Sequence, residues 1–244
     1  MNKKEWFIDW FNSYYYHLLY NNRNDKEARD FIIRLTNHIN LNSDTHVLDL
    51  GCGKGRHSFE LKKHYKQVTG LDLSHNSIKE ANENNLEGLF FTQQDMRFFK
   101  LDSKFDAIFN LFTSFGYFDN TDDNLNVLTN CHQHLNKNGL LLIDFFNTQK
   151  VSANLIKQET KKIKGITFNI KREIANEKII KTIAFNDNDK EYCFQEKVQL
   201  LTLENFKTLL IKANFKLIKS FGNYQLTEFN AAHSERLILI AEKK

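Results

Sequence analysis

The spacing of apolar and polar positions changes twice along this chain. Between residues 45 and 147 short apolar runs alternate with stretches of helical period, the pattern of a parallel sheet with helices on both faces. The runs predict strands at His46–Leu50, Gln67–Leu73, Leu89–Thr92, Asp106–Phe112 and Leu140–Phe146. The clearest helix between them is Asp122–Asn136. There Leu125, Leu128, Cys131, His132 and Leu135 share one stripe, and Asn138-Gly139 supplies the stop. From 164 to 200 the period falls to two. Ile166, Phe168 and Ile170 alternate with polar residues, as do Tyr192, Phe194, Glu196, Val198 and Leu200, which predicts half-buried antiparallel strands. Thr202 is expected to cap a helix with Leu209, Leu210 and Ala213 on its apolar face. Strands at Lys216–Phe221 and Arg236–Glu242 follow. Residues 5–40 read as helical and rich in aromatics.

Four parts result: residues 1–40, 41–150, 151–200 and 201–244. No internal repeat or low-complexity tract interrupts them. Hydrophobic content of 41%, with 22 Phe, is ample for a packed interior. The formal charge of +4 comes from 34 basic and 30 acidic residues, well mixed, so no basic stripe marks a nucleic-acid partner. No apolar run approaches the roughly 18 residues of a membrane span, and Tyr- and Asn-rich sequence rather than an apolar core follows Trp6, so no secretory leader is expected. Cys52, Cys131 and Cys193 are odd in number and scattered, which points to a reducing cytoplasm and no disulfide framework. Cys131, His132 and His134 lie too close on one helix to surround a zinc ion, so no metal is expected. The run Lys157–Lys164 reads as a solvated face, and His57 as a surface residue or one set behind the site.

The most informative stretch is Val47-Leu48-Asp49-Leu50-Gly51-Cys52-Gly53-Lys54-Gly55-Arg56. A third of the nine glycines stand here at every second position. Glycine is kept where backbone must turn sharply or approach a ligand closely, and a helix beginning just beyond offers free N–H groups. About twenty residues after Gly51, Asp72 ends the second strand, where an acid can accept from both ribose hydroxyls. The dinucleotide fingerprint needs a small residue at position 56, and Arg56 stands there. Asp49 would also set a carboxylate near a pyrophosphate. Both count against NAD. A carboxylate two residues before the first glycine suits a ligand carrying an ammonium group.

This block, with Asp72 and Gln94-Asp95-Met96-Arg97, resembles the class I S-adenosylmethionine-dependent methyltransferases, over most of the chain. The resemblance implies an α/β, Rossmann-like, doubly wound seven-stranded sheet with an antiparallel last strand. A small antiparallel β lobe would be inserted after the fifth strand, and residues 1–40 would form a helical cover. It further implies that Gly51 and Gly53, with Cys52 and Leu73, line S-adenosylmethionine. Asp49 faces its amino group directly or through water, Asp72 its ribose, and Asp95 with the Met96 N–H its adenine. Asn110 sits near the transferable methyl. Tyr20 would cover the cofactor and Arg23 pair with its carboxylate; for both, plain helix packing is an equal reading. Tyr16, Phe112 and Tyr117 are candidate acceptor contacts, although packing leads for Tyr16 and explains Phe112 nearly as well.

Asn110–Tyr117 and the pattern Tyr16-His17-Leu18-Leu19-Tyr20 are similar to small-molecule members, including deoxy-aminosugar N-methyltransferases. Lys54 stands where Thr is frequent, and Lys137-Asn138-Gly139 replaces a Pro-Gly turn. The expected reaction is in-line displacement of the sulfonium methyl by a small-molecule nucleophile, an amine favoured. Alignment alone can be worth ~7–11 kcal/mol, so no catalytic base is assigned. A non-catalytic S-adenosylmethionine-binding regulator, or a methyltransferase acting on tRNA or protein, are the alternatives. Acceptor identity and oligomeric state are left open by the sequence.

Overall fold

The structure is a computed structural model and describes residues 5–20, 25–84 and 86–244. Three helices come first: α1 (Trp6–Phe11), α2 (Tyr14–Leu19) and α3 (Asp25–Ile39). The alternating segment then gives β1 (His46–Leu50), α4 (Arg56–Leu61), β2 (Gln67–Asp72), α5 (His75–Glu83), β3 (Leu89–Gln93), β4 (Phe105–Asn110), α6 (Thr121–His134) and β5 (Leu135–Phe146). After α7 (Thr148–Ala153) come four strands, β6 (Gln158–Ile163), β7 (Ile166–Ala175), β8 (Lys178–Asp187) and β9 (Lys190–Gln199). Helix α8 (Leu203–Lys212), β10 (Phe215–Phe221) and β11 (Arg236–Lys243) complete the chain.

The large sheet has the order β10-β11-β5-β4-β1-β2-β3. Strands β1 to β5 run parallel, and β11 is antiparallel to both β5 and β10. Val47, Leu48 and Leu50 are wholly buried, as a strand covered on both faces requires. The winding reverses between β1 and β4, and in such sheets the ligand crevice opens at the carboxyl ends of the strands at that point. The second sheet, β6-β7-β8-β9, is antiparallel throughout. Its inner face carries Phe168, Ile170, Ile183 and Phe185, packed with Trp10, Leu18 and Leu19 of α1 and α2.

Several boundaries differ from the sequence reading. Helix α6 ends at His134, and β5 begins at Leu135, not Leu140. Asn138 has φ 62°, and the pairing with β4 slips between Phe105 and Ala107. Asn138-Gly139 therefore forms an irregularity inside the strand and does not close the helix; Asn tolerates the left-handed region that this requires. Strand β4 stops at Asn110, short of Phe112, because Phe112 and Thr113 both take left-handed angles, 54° and 62°. The Lys-rich run, read as a solvated face, is the mostly exposed edge strand β6, and lysines are usual on such edges. Strand β8 had no signal of its own, since Lys-Ile-Ile-Lys-Thr-Ile breaks strict alternation.

Candidate active site

A cavity of about 520 Å³ opens at the carboxyl ends of β1, β2 and β4. Its wall includes Gly51, Cys52, Gly53, Asp72, Leu73, Asp95 and Met96, together with Tyr16, Tyr20, Phe112 and Tyr117. Two predicted residues lie behind that wall. Asp49 is buried and accepts from Ser58 Oγ at 2.6 Å. Asn110 is buried, donates Nδ2 to the Leu50 carbonyl at 2.8 Å, and leaves Oδ1 without a partner. Arg23 lies outside the described residues.

The glycine spacing has a conformational cause. Gly51, Gly53 and Gly55 have φ of 79°, 56° and 83°, a region that costs other L-residues energy. Gly51 N and Cys52 N both donate to the Leu71 carbonyl, at 2.7 and 3.0 Å, folding the loop back over β2. A Cβ on Gly51 would fall 2.7 Å from Ser114 Cβ, whereas one on Gly53 would meet nothing within 4 Å. Gly53 thus offers bare backbone to open space.

Asp72 closes the loop from below. Its Oδ2 accepts from Gly53 N and its Oδ1 from Ser74 N, each at 2.8 Å. Burial pushes its carboxyl above the usual range, with the N–H groups of Ser74, Gly53 and Leu73 pulling the other way. A carboxylate has about four acceptor directions, so two backbone donors leave room for a vicinal diol. Asp49 is pushed up to about 7, chiefly by burial; Ser58 and Arg56 restrain the shift and Asp72 adds to it.

Asp95 is more occupied than its motif suggested. It accepts from Arg97 Nη2 at 2.6 Å, Arg97 Nε at 3.1 Å and Arg97 N at 2.9 Å. Arg97, to which the sequence reading gave no role, also holds Glu5 at 2.7 and 2.6 Å and reaches Asp123 at 3.4 Å. Burial opposes its charge, yet the hydrogen bonds it donates to Asp95 and Glu5 raise its pKa overall. Asp95 is a near neighbour in the chain, but Glu5 and Asp123 come from distant parts and give no local signal for such a hub. His57 also departs from expectation: it is buried, lines the cavity and lies 4.7 Å from the Phe112 ring. Lys54 pairs with Glu80 at 2.6 Å on the cavity rim.

The left-handed pair at Phe112 and Thr113 is pinned from beneath. Phe112 N donates to Asp144 Oδ2 and Thr113 N to the Asp144 carbonyl, both at 2.9 Å. Arg236 Nε donates to Asp144 Oδ1 at 2.8 Å and Nη2 to Thr113 Oγ1 at 3.0 Å. Tyr224 adds a bond to Asp144 Oδ2 at 3.2 Å.

A second cavity of about 260 Å³ adjoins the first and shares Phe11, Tyr16, Tyr20 and Tyr117 with it. Tyr16 packs against Phe11 and Tyr20, each with ring centroids 5.0 Å apart, and lines both cavities. Tyr14, by contrast, is 62% exposed. Strands β7, β8 and β9 contribute Arg172, Lys181 and Glu196 to the second cavity. Among the described residues no cluster of His, Cys, Asp or Glu is placed to hold a metal, and no helix is long and apolar enough to cross a membrane.

Comparisons with known proteins give three findings. A family model described as "Methyltransferase domain" matches residues 41–227. A dTDP-3-amino-3,4,6-trideoxy-alpha-D-glucopyranose N,N-dimethyltransferase of Streptomyces venezuelae is 26% identical over 131 residues, 51% of this chain and 55% of that protein. The match therefore spans about half the length of that relative. A glycine/sarcosine N-methyltransferase of Parasynechococcus marenigrum is 28% identical over 80% of this chain and 71% of its own. Among solved structures, an S-adenosylmethionine-dependent methyltransferase from Clostridium acetobutylicum shares the fold, with a TM-score of 0.79. It is 21% identical over 94% of this chain and 96% of that one.

Proposed function

We propose, since this chain belongs to the methyltransferase-domain family, that it transfers a methyl group from S-adenosylmethionine to an amine of a small-molecule acceptor. The observation that carries the reading is the pair of cavities meeting at one aromatic wall. One is edged by the glycine loop and Asp72, the other by the second sheet. Both relatives named above are N-methyltransferases by name, which favours nitrogen as the acceptor atom.

The larger cavity fits the cofactor on its own chemistry. Asp72 has acceptor directions to spare for the ribose hydroxyls. The bare backbone of Gly53 lets the ligand approach closely. Asp95 and the Met96 backbone stand at the end expected to take adenine. Bound there, S-adenosylmethionine supplies a methyl on a sulfonium, already a good leaving group. The protein's task is alignment and exclusion of water. Phe11, Tyr16, Tyr20 and Tyr117 line both cavities and would form the collar around the transfer path. Alignment of this kind can contribute ~7–11 kcal/mol, which is why no side chain is assigned as base. In this reading the helices within 1–40 form the cover, the segment 151–200 sets acceptor choice, and the enzyme works in a reducing, cytoplasmic setting.

The test is turnover of methyl-labelled S-adenosylmethionine with a panel of small amines, beside calorimetry with S-adenosylhomocysteine. Tight binding with transfer to an amine is the expected result. Binding without transfer to any amine, hydroxyl or carbon acceptor would favour a regulator. A mobility shift of bulk tRNA at physiological salt would redirect the reading to nucleic acid.

A further inference from the structure

The second sheet turns an apolar face toward α1 and α2, and one row of that face is charged. Arg172 on β7, Lys181 on β8 and Glu196 on β9 stand directly opposite one another across three strands, Arg172 against Lys181 and Lys181 against Glu196. All three line the second cavity. Their side chains are only 19%, 12% and 14% exposed. Like charges directly opposite in a sheet repel, and a half-buried setting magnifies the cost. Burial lowers the Lys181 ammonium, and Arg172 adds to that against the pull of Glu196.

The hydrogen-bond inventory shows what the row can offer a ligand. Glu196 already accepts from Trp10 Nε1 at 2.7 Å, from Tyr20 Oη at 2.7 and 2.9 Å, and is paired with Lys181 at 3.4 Å. Three donors thus converge on its two oxygens. Lys181 donates to Tyr20 Oη and faces Glu196, which leaves one of its three N–H groups. Arg172 spends one N–H on the Ile156 carbonyl and one on Glu159, leaving three of five. Each cation thus has one carboxylate partner, Glu159 or Glu196, and the cavity still presents unspent N–H donors of both.

We infer that the acceptor carries an anionic group, a carboxylate or a phosphate, seated between Arg172 and Lys181. This rests on the methyltransferase reading and adds the chemical class of its acceptor. The anion takes the donors that Arg172 and Lys181 leave unspent. Anchored there, the rest of the acceptor extends past Tyr20 and Tyr117 toward the larger cavity.

The chain has two tryptophans, and both report on this place: Trp6 lines the second cavity and Trp10 bonds to Glu196. Tryptophan emission of the protein saturated with S-adenosylhomocysteine is titrated with inorganic phosphate, malonate and, as a neutral probe, glycerol. A saturable response to phosphate or malonate is expected, weakening as NaCl rises, with the tighter of the two naming the group. Lys181→Gln and Arg172→Gln should each weaken it by about tenfold or more, the loss of a charge-assisted bond. Arg172→Lys should retain most of it. Calorimetry with S-adenosylhomocysteine checks that each variant is folded. An equal response to glycerol, variants that bind the anion as wild type does, or no response to either anion on the loaded protein would overturn the inference. Failure of the wild type to bind S-adenosylhomocysteine would instead overturn the reading on which it rests.

Discussion

Removing the Asp72 carboxylate is the sharpest perturbation of the proposed cofactor site. Each of its oxygens accepts one backbone N–H at 2.8 Å, from Gly53 or Ser74, and each has one further acceptor direction. A ribose diol would therefore gain two bonds to a charged acceptor. Hydrogen bonds to charged groups contribute about 1.5–3 kcal/mol each, so the pair is worth ~3–6 kcal/mol. At 1.4 kcal/mol per decade, Asp72→Ala should raise the S-adenosylhomocysteine Kd by roughly 10² to 10⁴. Part of any loss would come from the glycine loop, whose N–H group loses its anchor. A double-mutant cycle separates the two. Calorimetry on wild type and variant uses S-adenosylhomocysteine and its 2′,3′-dideoxy analogue. The loop's share appears with both ligands, and the ribose share only with the parent. If the variant binds within threefold of wild type, or discriminates between the two ligands as well as wild type does, the assignment of Asp72 to the ribose is refuted.

Three other predictions follow from the surroundings of the site. Arg236→Met should destabilise the fold by about 3–5 kcal/mol by stranding the Asp144 charge, while the double variant Asp144→Leu/Arg236→Met should recover much of it; urea unfolding would contradict this if the losses simply added. The folded protein holds the Asp49 proton up to about pH 7 against an ordinary 3.8, so native protein binds more protons than the unfolded chain in that window. Stability from this group is therefore lost as pH rises from about 4 to about 7, and Asp49→Asn should flatten that part of the unfolding profile. An unchanged slope would show that Asp49 ionises normally. Gly53→Ala should cost ~1–2 kcal/mol through its left-handed φ, and Gly53→Asn less by thermal melting; equal costs would point away from backbone strain.

The parallel core was legible because fully buried strands bounded by helical periods leave a strong pattern, and the glycine loop because only its spacing meets three left-handed residues. Gly53, Asp72 and Met96, which local motifs singled out, came to lie on the cavity wall. Asp49 and Asn110 did not, since a strand's alternation says which face a residue takes but not how deep the ligand sits. The pairing of Arg97 with Glu5 and Asp123, and the Arg172–Lys181–Glu196 row, were invisible for another reason. Their partners come from distant segments, and only folding sets them opposite one another. The end of β4 was misjudged because apolar Phe112 continues the strand pattern while Asp144 holds its backbone in another conformation.

Arg97 binds Glu5, at the threshold of α1, and Asp95, at the end proposed for adenine, through the same guanidinium. Settling the first segment of the protein and recognising the base are then not independent events. Whatever free energy one lends the other is returned in equal measure, because such coupling is reciprocal. Deleting residues 1–11 should weaken nucleoside binding, and nucleoside binding should in turn shield that segment from proteolysis. The cofactor would act as the latch for its own door.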